Sequence, residues 1–154
     1  MYRQPVKSMP ETFSQTDRRE ALGLLARAPA ARLAELLPEL PAHEVLRAPE
    51  IGTVMVRGRA GGTGSAFNLG EVTVTRASIR LHGGEVGHGY VQGRDKAHAL
   101  RAALVDAMGQ ADPARVAPIL TPLREEEDRR RARIAAEAAA TRVEFFTLVR
   151  GEDE

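Results

Sequence analysis

The stretch GGTGSAFNLGEVTVTRASIRLHGGEVGHGYVQGRDK (residues 61–96) decides the fold of this chain. It opens on a glycine-rich turn, continues through β-branched residues, and passes a second glycine turn at His82-Gly83-Gly84. β-branched residues favour strands, and glycines favour the tight turns that join them. The stretch therefore predicts β-hairpins framed by two glycine turns, followed by a cationic helix entrance at Gly93-Arg94-Asp95-Lys96.

Apolar residues change phase within the strand predicted over residues 71–81. They lie first at Val72 and Val74, and then at Ala77, Ile79 and Leu81. Because side chains alternate along a strand, a shift by one residue predicts a bulge or bend, here near Thr75-Arg76. Bulges often lie beside functional sites, which makes Arg76 a candidate site residue.

The returning strand has two different faces. Val86, His88 and Tyr90 share one face, whereas Gly87 and Gly89 share the other. Two glycines on one face leave room for the close approach of another backbone or of a ligand.

Helical periodicity before this stretch predicts an αα-hairpin. The first helix has an N-cap at Thr16 and ends before Pro29, and the second carries leucines at helical spacing up to Pro41. Two extended segments, residues 45–48 and 53–57, then predict the first part of the sheet.

A helix that covers the sheet is predicted after Gly93. Its first turns bring Arg94, His98 and Arg101 close together, above free backbone N–H groups, with Lys96 beside them. Anions bind readily at such a corner. Ordinary surface charge explains the same residues, so both interpretations stay open.

The C-terminal part is predicted to begin with breaks at Asp112-Pro113 and Pro118, and then to form a long helix over residues 123–141. Three glutamates there each precede an arginine by four residues, a spacing that stabilises helices. Few large apolar residues accompany them, which suits a helix that lies across a partner. The apolar tail either packs back on the sheet or docks on another subunit, and its interface candidates are Arg142, Phe145, Phe146 and Leu148.

The predicted fold class is α+β. An N-terminal helical hairpin precedes an antiparallel β-meander covered by a helix, and a long C-terminal helix with an extended apolar tail completes the chain. Residues 1–15 are expected to form a flexible arm and residues 16–151 a single domain, since 154 residues suit one core.

Composition excludes several classes of function. The 22 basic and 21 acidic side chains leave a net charge of +1, so no global field attracts nucleic acid or an anionic membrane. The absence of cysteine excludes disulfides and cysteine-ligated iron–sulfur clusters. No signal peptide or membrane-spanning segment is evident, and a cytoplasmic location is expected.

Local motifs assign no chemistry. The glycine-rich run Gly58-Arg59-Ala60-Gly61-Gly62-Thr63-Gly64 lacks the spacing of nucleotide-binding loops and is interpreted as a strand connection, with anion cradling as the alternative. The histidines lack the spacing of zinc ligands, so no metal is predicted. Asp95 and Asp106 are interpreted as a helix cap and as part of a solvated helix face. No catalytic residue is predicted.

A set of short segments in a fixed order resembles the G subunit of the bacterial carbon–phosphorus lyase core complex. The resemblance extends over about residues 17–151, and its segments together are more specific than any one of them. They are Gly61-Gly62-Thr63-Gly64, Gly70-Glu71, Thr75-Arg76, Val91-Gln92-Gly93-Arg94-Asp95-Lys96, His98-Ala99, Asp106-Ala107 and Thr141-Arg142-Val143-Glu144-Phe145-Phe146-Thr147.

The resemblance implies a role in phosphonate catabolism. In that family the G subunit assembles with H, I and J subunits into a hetero-octamer with two copies of each. With the L protein, the complex converts MgATP and a phosphonate to α-D-ribose 1-phosphonate 5-triphosphate and adenine. The nucleosidase chemistry is credited chiefly to the I subunit, and carbon–phosphorus bond cleavage to the J subunit.

Within that complex the chain is expected to be an accessory subunit that is not catalytic alone and binds no cofactor alone, MgATP being a substrate of the complex. The alternative is that it contributes a phosphate- or nucleotide-binding patch directly to the active site. That patch would consist of Arg76, Arg94, Lys96 and His98.

Overall fold

The computed structural model of the chain describes residues 13–141. Its three strands form one antiparallel sheet in the order β1-β2-β3, and its helices lie before and after the sheet in the sequence. This arrangement confirms the predicted α+β class. The elements are α1 (Gln15–Arg27), α2 (Ala30–Leu36), β1 (His43–Arg59), a 3-10 turn (Ala60–Gly62), β2 (Ala66–Leu81), β3 (Val86–Gln92), α3 (Lys96–Ala111) and α4 (Pro113–Ala140).

The helical hairpin is confirmed, but both of its predicted ends move. Ser14, not Thr16, is the N-cap of α1, because Ser14 and Asp17 form a capping box in which each side chain accepts from the other's backbone N–H. The second helix ends at Leu36, well before Pro41. Pro38 explains the early end, since a proline disfavours helical geometry in the residue before it, and Leu37 has φ −131° and ψ 71°.

The two extended segments predicted before the glycine-rich turn are one strand, β1. Its register against β2 shifts between Val45 and Arg47 and again between Arg47 and Glu50, so the irregularity includes Pro49. A proline, which lacks an N–H, is tolerated at a bulge or on an edge strand, and β1 is an edge strand.

The bulge or bend predicted near Thr75-Arg76 does not lie on β2, although the register against β1 shifts beside Arg76, between Arg47 and Glu50. At these residues β2 pairs regularly with β3, Thr75 opposite Val91 and Arg76 opposite Tyr90, and the extra residues lie across the sheet on β1. The apolar pattern changes because burial varies along β2, and both faces are buried at Val74 and Thr75. Ala77 is buried in the core, whereas Val72 is exposed.

Helix α3 packs directly on the glycine face of β3. A Cβ at Gly87 would collide with the carbonyl oxygen of Ala103 and lie 2.7 Å from Ala107 N. A Cβ at Gly89 would collide with the carbonyl oxygen of Ala99. The backbone approach predicted from the two glycines is therefore confirmed, and its partner is the backbone of α3.

Helix α4 is continuous through the predicted break at Pro118. Asp112 caps it by accepting from Ala114 N, 3.0 Å away, and Pro113 occupies the first turn, where no N–H is needed. An interior proline costs a helix about 3 kcal/mol. Burial of several aliphatic side chains, each worth about 1.5–3 kcal/mol, offsets that cost. The buried residues are Val116, Ile119, Leu120 and Leu123.

The predicted glutamate–arginine pairs of α4 form only in part. Glu127 pairs with Arg131 at 2.8 Å, as its spacing predicts. Glu126 instead pairs with Arg32 of α2, at 2.8 Å, so it joins two elements. Beyond Glu127, every described residue of α4 is exposed, which agrees with a helix half that has little to bury in its own domain.

The glycine face gives the first prediction. Gly89→Ala should lower the free energy of unfolding by at least about 3 kcal/mol, the upper end of overpacking costs, because the collision is with backbone. Chemical denaturation of the purified protein measures this change. Gly52→Ala in β1 is the matched control, since a Cβ there meets nothing within 4 Å. Equal stability of the two variants would contradict the packing of α3 on β3.

Candidate functional site

The entrance of α3 is the first candidate site. Asp95 is the N-cap, as predicted, and its carboxylate accepts from His98 N at 2.9 Å. Gly93 makes the connection from β3 with φ 92°, and its carbonyl accepts from the Thr75 hydroxyl at 2.7 Å. Arg94 and Lys96 are exposed here.

His98 does not join them at the surface. Its side chain is buried, with 4% of the residue exposed, and Nε2 donates to the carbonyl oxygen of Leu25 at 2.9 Å. In a helix that carbonyl would accept from residue 29, which is a proline and has no N–H. The His98 ring takes the place of the missing donor, so the predicted anion site loses His98.

Arg101 is also drawn inward. Its Nε donates to the carbonyl oxygen of Leu37, the C-cap of α2, at 3.2 Å. The three cations predicted to lie together therefore have two different roles. His98 and Arg101 hold the ends of α1 and α2 against α3, and Arg94 remains at the surface.

Arg76 lies on the sheet face away from α3, because Thr75 and Ala77 on either side of it are buried. It is paired across β2 and β3 with Tyr90. Its guanidinium is 3.6 Å from the Glu50 carboxylate, and both side chains are exposed, so this ion pair contributes little to stability. Ligand binding by Arg76, Arg94 and Lys96 stays a prediction.

The interpretation of Asp106 as part of a solvated helix face is wrong. Only 3% of it is exposed, and its two oxygens accept from Nε and Nη2 of Arg18 at 2.8 and 2.9 Å. One of them also accepts from His88 N at 2.9 Å. The sequence holds one signal of this burial. Asp106 lies between the apolar residues Leu104 and Met108, and a carboxylate in a buried stripe needs hydrogen-bonding partners.

Asp106 also protects one edge of the sheet. Its carboxylate accepts from the N–H of His88 on the outer edge of β3, and Gln110 donates to the carbonyl oxygen of Val86 at 2.8 Å. Side chains of α3 therefore occupy hydrogen-bonding positions along that edge. Covered edges do not recruit other chains. The opposite edge of the sheet, β1, has no described strand beside it.

The strongest candidate surface is the hairpin arm, defined here as residues 53–73. Strand β3 pairs with β2 only as far as Val74, so the arm is a two-stranded ribbon that extends beyond the sheet and ends at the 3-10 turn. Large apolar side chains are exposed along the arm. Three of them are consecutive, so both faces of the arm carry such side chains. They are Val54, Met55, Val56, Phe67, Leu69 and Val72.

The arm is unusual for a surface, because contiguous exposed apolar side chains mark interaction sites. Leu69, the most exposed of them, has 63% of its surface open. The glycine-rich run forms the end of the arm, with Gly61 at φ 58° and Gly62 at φ 81°. This confirms its interpretation as a strand connection, and anion cradling by its N–H groups stays a prediction.

Two features are absent from residues 13–141. No helix in this part of the chain combines the length and the apolar character needed to cross a membrane. Within the same residues, no three side chains of the His, Cys, Asp and Glu types are grouped so that they could hold a metal ion.

Comparison with known proteins gives a match over residues 16–151 to the family described as phosphonate metabolism protein PhnG. The chain belongs to this family. A curated relative from Rhizobium meliloti (strain 1021) is 49% identical over 146 residues, which cover 88% of this chain and 90% of the relative. That relative is named alpha-D-ribose 1-methylphosphonate 5-triphosphate synthase subunit PhnG. The resemblance indicated by the sequence segments is thus confirmed.

The PhnG match includes most of the tail, but the predicted interface residues there lie outside the described part of the chain, and their role stays a prediction. They are Arg142, Phe145, Phe146 and Leu148. At the other end, Phe13 packs against the core, and α1 begins at Gln15, inside the segment expected to form an arm.

Asp106 gives a prediction for this PhnG family member. Asp106→Asn keeps the shape of the side chain but points an amide donor at Arg18 or at His88 N. Because removing one partner of a buried ion pair costs about 3 kcal/mol, the free energy of unfolding should fall by about that amount. Chemical denaturation measures the loss. Asp128→Asn, at an exposed position of α4, is the control and should change stability by less than about 0.5 kcal/mol. A stable Asp106→Asn protein would disprove the role of the carboxylate.

His98 gives a pH-dependent prediction. Burial lowers the pKa of His98 from its ordinary 6.5, against smaller opposing effects of the Leu25 carbonyl and Asp95. Below pH 6.5 the unfolded chain therefore binds more protons at this residue than the folded chain, so acid removes stability and a rise in pH restores it.

The test is the thermal midpoint at pH 7.5 and at pH 5.5, compared with His98→Gln, which can still donate to Leu25 but does not titrate. We expect the original protein to lose more stability on acidification than the variant. Parallel losses would show that His98 does not contribute to the pH dependence.

Proposed function

We propose that this chain is an accessory subunit of a multi-subunit synthase that makes α-D-ribose 1-phosphonate 5-triphosphate and adenine from MgATP and a phosphonate. The observation that carries the proposal is the hairpin arm, with apolar side chains exposed on both faces. The supporting comparison is the relative that is named as a subunit of such a synthase.

The arm needs a partner for a physical reason. An isolated two-stranded ribbon is at best marginally stable in water, and the arm extends beyond the third strand. Each large apolar side chain that becomes fully buried contributes about 1.5–3 kcal/mol. A second subunit that encloses the arm would therefore stabilise both the ribbon and the assembly.

The exposed end of α4, residues 134–140, offers a second contact surface. It is followed directly by the apolar tail, whose phenylalanines we propose as further interface residues. An interface that uses a hairpin, a helix and a tail fits a permanent complex, since such complexes bury large areas.

The partners that we propose are the H, I and J subunits of the carbon–phosphorus lyase core complex, two copies of each with two of this chain, and functionally the L protein. We place the assembly in the cytoplasm, with MgATP as a substrate and no cofactor held by this chain alone. The accessory role is supported by His98 and Asp106, the buried titratable side chains of residues 13–141, because both are engaged within the fold.

A direct contribution to the active site is the second candidate. Arg94 and Lys96 favour it, because they are exposed at the start of α3, where backbone N–H groups and the helix dipole attract anions. His98 no longer belongs to that patch, and Arg76 already faces Glu50. The accessory role therefore has the stronger support.

The test is co-purification of a tagged chain with co-expressed H, I and J subunits. Leu69→Asp in the arm should reduce the recovered partners at least tenfold, since a carboxylate buried without a partner costs several kcal/mol. Leu40→Asp is the matched control, an exposed leucine outside the arm, and should assemble normally. Full assembly by both variants would exclude the arm as the interface, and failure of the unmodified chain to assemble would overturn the proposed function.

A further inference from the structure

A cleft of about 520 Å³ lies between the end of α1, the start of α2 and the middle of α4. Its apolar part is formed by Leu24, Ala28, Pro29 and Leu123. Its charged part consists of four arginines and two glutamates, namely Arg27, Arg129, Arg130, Arg133, Glu126 and Glu127. The cleft lies outside the hairpin arm and the α3 entrance.

Glu127 holds one arginine of this cleft, Arg130, in place. Its side chain is only 12% exposed, and both of its oxygens accept from Arg130, at 2.8 and 3.0 Å. Arg131 donates to it at 2.8 Å, and the Arg27 guanidinium is 3.8 Å away. The hydrogen bonds from Arg131 and Arg130 lower the pKa of Glu127, so the carboxylate stays ionised and keeps the guanidinium of Arg130 in place.

The cleft retains positive charge after these pairs are counted. Four arginines against two glutamates leave a net charge of +2, and both glutamates also pair with arginines that do not line the cleft, Arg32 and Arg131. Within residues 13–141, Arg129 makes no ion pair, and Arg133 has only an exposed 3.8 Å contact with Glu137. Available for an anion are therefore the guanidiniums of Arg129 and Arg133, together with Nη1 of Arg130, which takes no part in the bonds to Glu127.

We propose that this cleft binds an organic polyphosphate, with phosphoryl groups on Arg129, Arg130 and Arg133 and the uncharged part of the ligand over Leu24 and Leu123. Guanidinium forks match phosphoryl oxygens, and the volume lies within the roughly 300–1,000 Å³ of small-molecule sites. The choice of a triphosphate ester as ligand rests on the proposed function. The presence of the cleft, its charge and its shape do not depend on the proposed function.

Arginine footprinting tests the proposal one residue at a time. The tagged chain, purified with its partner subunits, is treated with phenylglyoxal in the presence and absence of ATP or inorganic triphosphate, and modified peptides are quantified by mass spectrometry. We expect ATP to slow modification of Arg129 and Arg133 at least fivefold. Arg124, which is exposed on α4 outside the cleft lining, should react at an unchanged rate.

Variants give the second readout. Arg129→Ala combined with Arg133→Ala should raise at least tenfold the ATP concentration that protects Arg130, whereas Arg124→Ala should leave it unchanged. ATP should protect at lower concentration than inorganic triphosphate, because only ATP can cover the apolar part of the cleft. Equal protection by the two probes would overturn the role of that part.

Three other outcomes overturn the proposal as a whole. They are no protection by either probe, equal protection of Arg124, and protection by assembly alone, which would mean that a partner segment fills the cleft. Assembly is measured separately by co-purification. Loss of triphosphate binding in an intact complex therefore counts against the cleft and leaves the subunit role standing.

Discussion

The contact between the backbone of α3 and the glycine face of β3 is the constraint on which the described structure depends. Gly87 and Gly89 let the helix lie so close that a single methyl group would collide with its carbonyl oxygens. Asp106 fixes the same contact by accepting from His88 N and from Arg18 of α1. One carboxylate thus joins α1, β3 and α3, and the rest of the core is arranged around it.

Because α3 packs on β3 and on the C-terminal half of β2, it cannot cover the hairpin arm. Two of its polar side chains, His98 and Arg101, donate instead to the ends of α1 and α2. The core is therefore small and lies at one end of the sheet. The ribbon beyond Val74 has no covering element among residues 13–141, and its large apolar side chains stay exposed.

Local patterns predicted the elements well because their causes are local. The glycine turns, the Asp95 cap and the two faces of β3 follow from backbone geometry and from the alternation of side chains along a strand. The largest errors concern contacts between distant parts of the sequence, whereas the errors at the ends of α1 and α2 are local. Burial against the core keeps α4 helical through Pro118, and the missing N–H of Pro29 draws His98 inward, away from Arg94. The sequence identifies each of these residues, but it does not show which element packs against that residue.

The distribution of charge explains why two surfaces of one small chain can serve different purposes. The hairpin arm is dominated by apolar side chains and gains free energy only when another surface excludes water from it. The cleft beside α4 instead exposes its guanidiniums to solvent and holds Arg130 against Glu127, which suits a small anion that exchanges with solvent. Since the two surfaces are formed by different elements, a substitution in one should leave the other intact. Assembly and ligand binding can therefore be separated by mutation within a single chain.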